Sequence, residues 1–275
     1  MYEFLKGHGT ENDFVLLPDH DGAVHGELSA VRVRALCDRR AGIGGDGVLR
    51  VIRTSVVAPE MSGQAEWFMD YRNSDGSLSE MCGNGVRVFA RHLVESGLAD
   101  ADAAVPVATR AGLKLVTTND DGTFTADLGQ PKLLGLSEVE AAGRRWTARH
   151  VDMGNPHAVA FVDDLAEAGP LLDAPTHDET VYPDGVNVEF LVRRGDRHIA
   201  MRVHERGSGE TRSCGTGACA AMVAAADADG ARPAEDDVTY RVDVPGGTLH
   251  VTWTTDDRVL LRGPAVVVAT GTTGL

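Results

Sequence analysis

One short signature occurs twice in this chain. It reads Glu80-Met81-Cys82-Gly83-Asn84-Gly85 and then Arg212-Ser213-Cys214-Gly215-Thr216-Gly217, with the cysteines 214 − 82 = 132 residues apart. A strand-like segment precedes each copy, at 67–71 and 199–203, and a glycine- and serine-rich turn joins strand to signature. A helix-like run follows each copy. In the first, 86–96, Val86, Phe89, Ala90 and Leu93 fall at helical spacing, and Arg87, Arg91 and Glu95 form the polar side. The second, 218–228, is apolar on nearly every side and is expected to be buried in the middle of its domain. Strand signals come next in both halves, at 105–109, 113–118 and 124–128, and at 238–244, 248–253 and 259–261. Upstream, Asn12-Asp13-Phe14-Val15 echoes Asn155-Pro156-His157-Ala158, Asp46-Gly47-Val48 echoes Asp184-Gly185-Val186, and Gly112 and Gly247 hold matching turns. Echoes that keep their order along the chain are the mark of a duplicated unit. The expected fold is therefore α/β (α+β), with two pseudo-symmetric domains, each a strand-rich sheet or barrel around a central helix. Residues 1–123 plus 264–275 make the half with Cys82 and 124–263 the half with Cys214, the last strand crossing back to the first half.

The length, 275 residues, suits two such halves of roughly 130 residues each. With 26 basic and 41 acidic residues the net charge is −15, opposite to that of a nucleic-acid binder and repelled by anionic membranes. The first residues lack a basic n-region followed by an apolar core, as a signal peptide would have, and the most apolar run, 218–226, is too short to span a bilayer. Four cysteines without a CxxC pair point to reduced thiols and a cytoplasmic protein.

Two glycine motifs bear on function. Gly42 to Gly47 fits GxGxxG, but a helical run over 29–40 precedes it and a β-like run over 48–52 follows, the reverse of a dinucleotide site. Gly215 to Ala220 fits GxGxxA and opens a helix, yet a cysteine stands just before it, where a dinucleotide loop has no use for one. Glycine disfavours a helix by roughly 1 kcal/mol relative to alanine, so two at each of two helix starts suggest close approach of a ligand to the backbone. A helix start offers unpaired N–H groups and positive dipole character, holds a carboxylate, and favours a thiolate. Two such ends could grip one carboxylate and set a thiol on each side of its α-carbon, the arrangement needed to invert a stereocentre without a cofactor. Cys37 and Cys219 read as small buried hydrophobes. Neither Cys82 nor Cys214 has a partner at zinc-finger spacing, so no metal is expected. A Cys–His hydrolytic pair using His157 remains open, although it leaves the second cysteine without a role.

Five stretches resemble diaminopimelate epimerase: 7–14 (GHGTENDF), 71–87 (YRNSDGSLSEMCGNGVR), 153–159 (MGNPHAV), 185–190 (GVNVEF) and 204–220 (HERGSGETRSCGTGACA). The resemblance extends over essentially the whole chain. It implies two pseudo-symmetric domains with the active site in the cleft between them, a homodimer, and conversion of LL- to meso-2,6-diaminopimelate for lysine and peptidoglycan precursors without pyridoxal phosphate or metal. By motif position Cys82 and Cys214 become the acid/base pair. The amides of Gly83, Asn84, Gly215 and Thr216 would hold the reacting carboxylate and its developing charge. Asn12 would help bind the reacting amino group, and Asn73, Asn155, Asn187, Glu205 and Arg206 would read the distal amino-acid end. His157 and Glu205 lie in motifs close to the thiols and could tune proton transfer. Read without the resemblance, each Asn is equally a turn residue, His157 a satisfied core histidine and Glu205 a surface charge. In one departure, Gly47 stands where many family members carry Gln.

The nearest rival is a proline racemase or hydroxyproline epimerase. Those resemble MCGHG at the first cysteine, where this chain reads MCGNG, and their substrate has no distal carboxylate for Arg206. A non-catalytic amino-acid-binding protein would need neither thiol.

Overall fold

The computed structural model describes residues 1–275, which form two compact units, Met1–Ala126 with Gly263–Leu275, and Asp127–Arg262. The first contains β1 (Tyr2–Gly9), β2 (Asn12–Pro18), α1 (Ala30–Cys37), β3 (Gly47–Arg53), the single turn α2 (Thr54–Val57), β4 (Trp67–Asn73), α3 (Gly83–Glu95), β5 (Val105–Thr109), β6 (Gly112–Thr118) and β7 (Phe124–Asp127), which runs to its edge. The second contains β8 (Lys132–Ala141), β9 (Arg144–Asp152), β10 (Pro156–Phe161), β11 (Thr176–His177), β12 (Asn187–Gly195), β13 (His198–Glu205), β14 (Gly209–Thr211), α4 (Gly215–Ala228), β15 (Val238–Val244), β16 (Gly247–Trp253) and β17 (Val259–Gly263). The last strand, β18 (Val266–Thr273), pairs antiparallel with β1, Tyr2 opposite Thr273 and His8 opposite Val266.

The duplication read from the cysteine signatures is present in the strand pairing. In the first unit β1–β2 is antiparallel, β2–β3 parallel, β3–β4 antiparallel, β4–β5 parallel and β5–β6 antiparallel. In the second, β9–β10, β10–β12, β12–β13, β13–β15 and β15–β16 repeat those senses in the same order. A parallel pair needs a crossover. In both units the crossover between the fourth and fifth of these strands carries the main helix, α3 or α4.

Each helix is wrapped by its strands. α3 packs on β1, β2, β3, β5, β6 and β18, and α4 on β9, β10, β12, β13, β15 and β16. Every residue of α4 from Gly215 to Ala226 is buried, as its all-round apolar sequence requires. In α3, Val86, Phe89, Ala90 and Leu93 are fully buried, but so is Arg87, which the helical pattern had placed on the polar side. The guanidinium turns back on its own helix start, donating to the Gly83 carbonyl at 2.9 Å and to Asn84 Oδ1 at 2.8 Å.

Two other elements differ from the sequence reading. The helix expected over 29–40 ends at Cys37, because Asp38 turns extended and its carboxylate takes the Arg40 and Ala41 amides at 2.7 and 2.8 Å. The β8–β9 hairpin carries no strand signal in the sequence. Leu134 and Leu136 of β8 are 56% and 66% exposed, so its strand lacks a clean apolar-in, polar-out alternation.

A buried ionic cluster stiffens the first unit. Asp19 accepts Arg50 Nη2 at 2.6 Å and the Val24 and His25 amides at 2.9 and 3.2 Å, while Asp70 accepts from Arg72 at 3.0 Å and from Arg110. Arg110 also donates to the Tyr71 and Ser79 carbonyls at 3.0 and 3.2 Å, which fastens the loop leading to Cys82 onto β4. Burial alone would raise the Asp19 pKa, but the Val24 amide, Arg50 and the His25 amide outweigh it and hold it below the usual carboxylate range. This stability is therefore present above the unfolded Asp value of about 3.9 and is lost as pH falls through the lower folded value. Asp19→Ala leaves the buried Arg50 with only its longer contact to Asp70, at 3.7 Å, and is expected to cost about 3 kcal/mol in urea unfolding at pH 7. The gap between variant and parent should shrink in acid, and a gap independent of pH would contradict this account.

Candidate active site

Both cysteines of the repeated signature are helix N-caps. Cys82 (φ −138°, ψ 123°) and Cys214 (φ −117°, ψ 119°) are extended, and their carbonyls accept the first helical hydrogen bonds, from Val86 and Ala218, each at 2.9 Å. The sulfur occupies the place where a Ser or Asp cap usually puts its oxygen. Cys82 Sγ accepts the Gly85 amide at 3.4 Å and Cys214 Sγ the Gly217 amide at 3.3 Å. The helix offers no carbonyl to its first-turn amides, so Gly83 and Asn84 in α3, and Gly215 and Thr216 in α4, present N–H groups beside each thiol. With the dipole they make each helix start suited to an anion.

In the first unit the thiol lies in a polar cage. Asn12, at the start of β2, donates from Nδ2 to Asp46 at 2.8 Å. Its Oδ1 is thereby turned to accept the Cys82 thiol at 3.4 Å and Asn84 Nδ2 at 3.2 Å. The parallel pairing of β2 with β3 brings Asp46 there, and Asp46 also accepts from the Asp13 amide and from Arg39. Asn73 serves its own turn: its Nδ2 donates to Ser77 Oγ at 3.0 Å. At Gly47, an added Cβ would lie 2.5 Å from the Arg72 carbonyl oxygen and 2.6 Å from the Tyr71 ring. The buried Tyr71 ring fills the space, so no side chain fits there.

In the second unit, Cys214 Sγ contacts Thr216 Oγ1 at 3.6 Å, and Thr216 Oγ1 accepts Asn155 Nδ2 at 3.4 Å. Asn155 Oδ1 meets His157 Nε2 at 3.0 Å, and His157 Nδ1 meets Glu189 Oε1 at 2.7 Å. The parallel register of β10 with β12, His157 opposite Asn187, places His157 and Glu189 side by side. Asn187 works on backbone groups, donating to the Pro156 carbonyl at 3.1 Å and accepting the Arg206 amide at 3.0 Å. Arg206 Nη1 reaches the Asp184 carbonyl at 3.1 Å, and Glu205 accepts the Thr211 hydroxyl.

The two thiols sit in different fields. Burial pushes Cys214 well above the ordinary thiol range, and Glu205 pushes it the same way, against hydrogen bonds from Thr216 and the Gly217 amide. At the start of α3 the buried charge is the Arg87 guanidinium, bonded to the Gly83 carbonyl. Cys37 packs among Val15, Leu17, Leu28, Val33, Leu36 and Val48, and burial raises it to about 12; Cys219 is buried within α4.

Three residues of this architecture had been given no role from sequence: Asp46, Arg87 and Glu189. Glu189 had a readable signal, a lone acid in the otherwise apolar run Val188 to Val192. No three His, Cys, Asp or Glu side chains converge into a metal site, and no helix is long and apolar enough to cross a membrane.

The duplicated, strand-wrapped helix is a fold seen in isomerases and related biosynthetic proteins. A phenazine biosynthesis protein of the PhzF family from Bacillus anthracis matches over 100% of this chain and 99% of its own, with a TM-score of 0.73 at 15% identity. A probable proline racemase from Agrobacterium radiobacter matches over 100% and 93%, with a TM-score of 0.67 at 16% identity; at that identity the likeness shows the fold alone. Sequence goes further. The diaminopimelate epimerase family model matches residues 4–134 and 149–268. A diaminopimelate epimerase from Streptomyces coelicolor is 58% identical over 276 residues, covering 98% of this chain and 94% of the relative. Another from Rhodococcus jostii is 49% identical over 287 residues, covering 98% and 96%. The chain belongs to the diaminopimelate epimerase family and is an isomerase. These relatives do not favour the proline-racemase alternative.

Mass-spectrometric alkylation with iodoacetamide checks the electrostatics. Cys214 and Cys37 are expected to react slowly through neutral pH and to accelerate only above the ordinary thiol range of about 8.5. Cys214 alkylated at pH 7 as fast as a free thiol would contradict the assignment.

Proposed function

We propose that this chain interconverts LL- and meso-2,6-diaminopimelate by moving the α-proton between Cys82 and Cys214. The observation that carries this reading is the pair of thiol N-caps, one at each of two glycine-rich helix starts. The family relatives supply the substrate class. A thiolate removes the α-proton, and the C–H electron pair moves into the carboxylate. The thiol on the opposite face then protonates the same carbon, so the two sulfurs exchange roles at each turnover. The working enzyme therefore holds one thiolate and one thiol.

The costly species is the doubly charged carboxylate formed on proton removal. Amides of Gly83, Asn84, Gly215 and Thr216 are suited to stabilise it, being preorganised and aided by two helix dipoles. Asn12, held by Asp46 with its Oδ1 toward Cys82, is suited to accept from the substrate ammonium. Glu205 and Arg206 are charged groups, and Asn155 a polar one, for the distal ammonium and carboxylate. Asn187 contributes by fixing the Arg206 backbone, and Asn73 by fixing the turn before Cys82. His157 acts on proton transfer through its bonds to Asn155 and Glu189. The scheme calls for neither pyridoxal phosphate nor a metal, because the carboxylate itself receives the electron pair. The resemblance supports a cytoplasmic homodimer serving lysine and peptidoglycan precursors.

Cys82→Ala and Cys214→Ala are each expected to lose epimerisation, followed by chiral chromatography of diaminopimelate, while Cys37→Ala keeps it. Wild-type turnover in either of the first two sinks the proposal. Arg206→Ala removes a charged hydrogen bond worth about 1.5–3 kcal/mol and should lower kcat/KM correspondingly without lowering the melting temperature. An unchanged kcat/KM would remove Arg206 from the substrate site.

A further inference from the structure

Glu189 enters the proton transfer just described only as a partner of His157, which leaves open its own protonation state and the direction of its hydrogen bond. It stands on β12 with no solvent exposure, and one carboxyl oxygen contacts His157 at 2.7 Å. The other, Oε2, is buried with no hydrogen-bond partner. Gly217 lies directly against it: an added Cβ there would come within 2.7 Å of Glu189 Oε1 and 3.2 Å of Cys214 Sγ. The carboxyl group is therefore packed under the same helix start that carries the second thiol.

Donor and acceptor directions can be followed from Glu189 to that thiol. Asn155 donates from Nδ2 to Thr216, so its Oδ1 is the atom facing His157 Nε2. That contact needs a proton on Nε2. His157 Nδ1 and Glu189 Oε1 then share one proton between them. If it sat on the histidine, a full carboxylate charge would be buried with Oε2 unsolvated, an expensive arrangement. If it sits on Glu189, both groups are neutral and Oε2 is the carbonyl oxygen of an acid, which tolerates isolation far better.

We propose that Glu189 is a protonated positioning residue whose O–H donates to His157 Nδ1 and so orients a one-way chain of donors ending on Cys214. The chain runs from Glu189 O–H to His157 Nδ1, from His157 Nε2–H to Asn155 Oδ1, from Asn155 Nδ2–H to Thr216 Oγ1, and from the Thr216 hydroxyl to Cys214 Sγ. Its last member, with the Gly217 amide, favours the thiolate that Cys214 must become in one direction of turnover. Burial acts on Glu189 in the same sense, raising its carboxyl above the ordinary range despite His157. A neutral Glu189 also spares Cys214 a like charge; Glu205 is the other acid that faces this thiol.

The inference rests on Cys214 being an acid/base group, and the test separates the two ideas. Nitrogen-15 NMR of the histidine-labelled wild-type protein at pH 7 should show His157 as a neutral ring protonated on Nε2 alone. An imidazolium protonated on both nitrogens, or a ring protonated on Nδ1 alone, would overturn the proposal whatever the variants do. Glu189→Met removes the donor and should lower kcat at least tenfold, chiefly in the direction that needs the Cys214 thiolate, and slow Cys214 alkylation. Glu189→Gln, whose amide N–H can still donate to Nδ1, should recover most of both losses and keep the Nε2–H tautomer. Recovery by Glu189→Asp but not by Glu189→Gln would mean that a carboxylate is required, and the neutral assignment would fall. If Glu189→Met matches wild type while Cys214→Ala is dead, this inference alone fails. If Cys214→Ala is active, the two-thiol reading fails with it. If Glu189→Met does not fold, the wild-type spectrum and Glu189→Gln still decide.

Discussion

The hydrogen bond from the third amide of a helix to a cysteine sulfur at its N-cap, 3.4 Å in one unit and 3.3 Å in the other, governs much of the architecture. It requires an extended cap residue and a helix that starts on the next residue. At Gly217 the space is tight, because an added Cβ would collide with Glu189 Oε1 at 2.7 Å and press on Cys214 Sγ at 3.2 Å. The rest of each unit holds that helix start in place: strands on many sides of the helix, and a parallel strand pair that carries Asn12 with Asp46 in one case and His157 with Glu189 in the other.

The two helix starts share geometry but not electrostatics. Beneath α3 a buried guanidinium, Arg87, grips the first turn by the Gly83 carbonyl and Asn84. Beneath α4 lie the buried Glu189 and His157, and the Cys214 thiol is pushed up by burial. Two thiols with identical surroundings would ionise alike, and a symmetric pair would spend much of its time with both protonated. The two thiols here have unlike surroundings: a buried guanidinium grips the first helix start, and burial raises the Cys214 thiol at the second. Hydrogen bonds from Thr216 and the Gly217 amide act against that rise.

Much of this was legible from sequence because it depends on backbone patterns. The glycine-flanked cysteines marked helix starts, the apolar run after Cys214 marked a central helix, and the ordered echoes marked a duplication now seen in the strand pairing. The less legible features are those in which tertiary packing reverses a local rule. Arg87 counts as polar in any helical pattern, yet it is buried because it satisfies the helix start it belongs to. Glu189 reads as one acid in a strand until β10 is paired with β12 and His157 arrives beside it. Asn73 and Asn187 carry motif positions, but their side chains are occupied by a turn and by the Arg206 backbone. The exposed leucines of β8 hid a hairpin for the opposite reason, since apolar residues outside the core break the alternation that announces a strand.

The proposed reaction uses two sulfurs, a thiolate that takes the α-proton and a thiol that delivers a different one. The most direct measurement is early solvent labelling: LL-diaminopimelate is incubated with the enzyme in deuterated water, and product and recovered substrate are analysed by mass spectrometry within the first few per cent of conversion. The thiol that delivers the proton has exchanged with solvent, whereas the proton taken from substrate resides on the other sulfur. Product should therefore carry one deuterium at the inverted carbon from the outset, and recovered substrate should begin unlabelled. Unlabelled early product, or substrate that acquires deuterium as fast as product forms, would show a single base serving both faces and would contradict the two-thiol account.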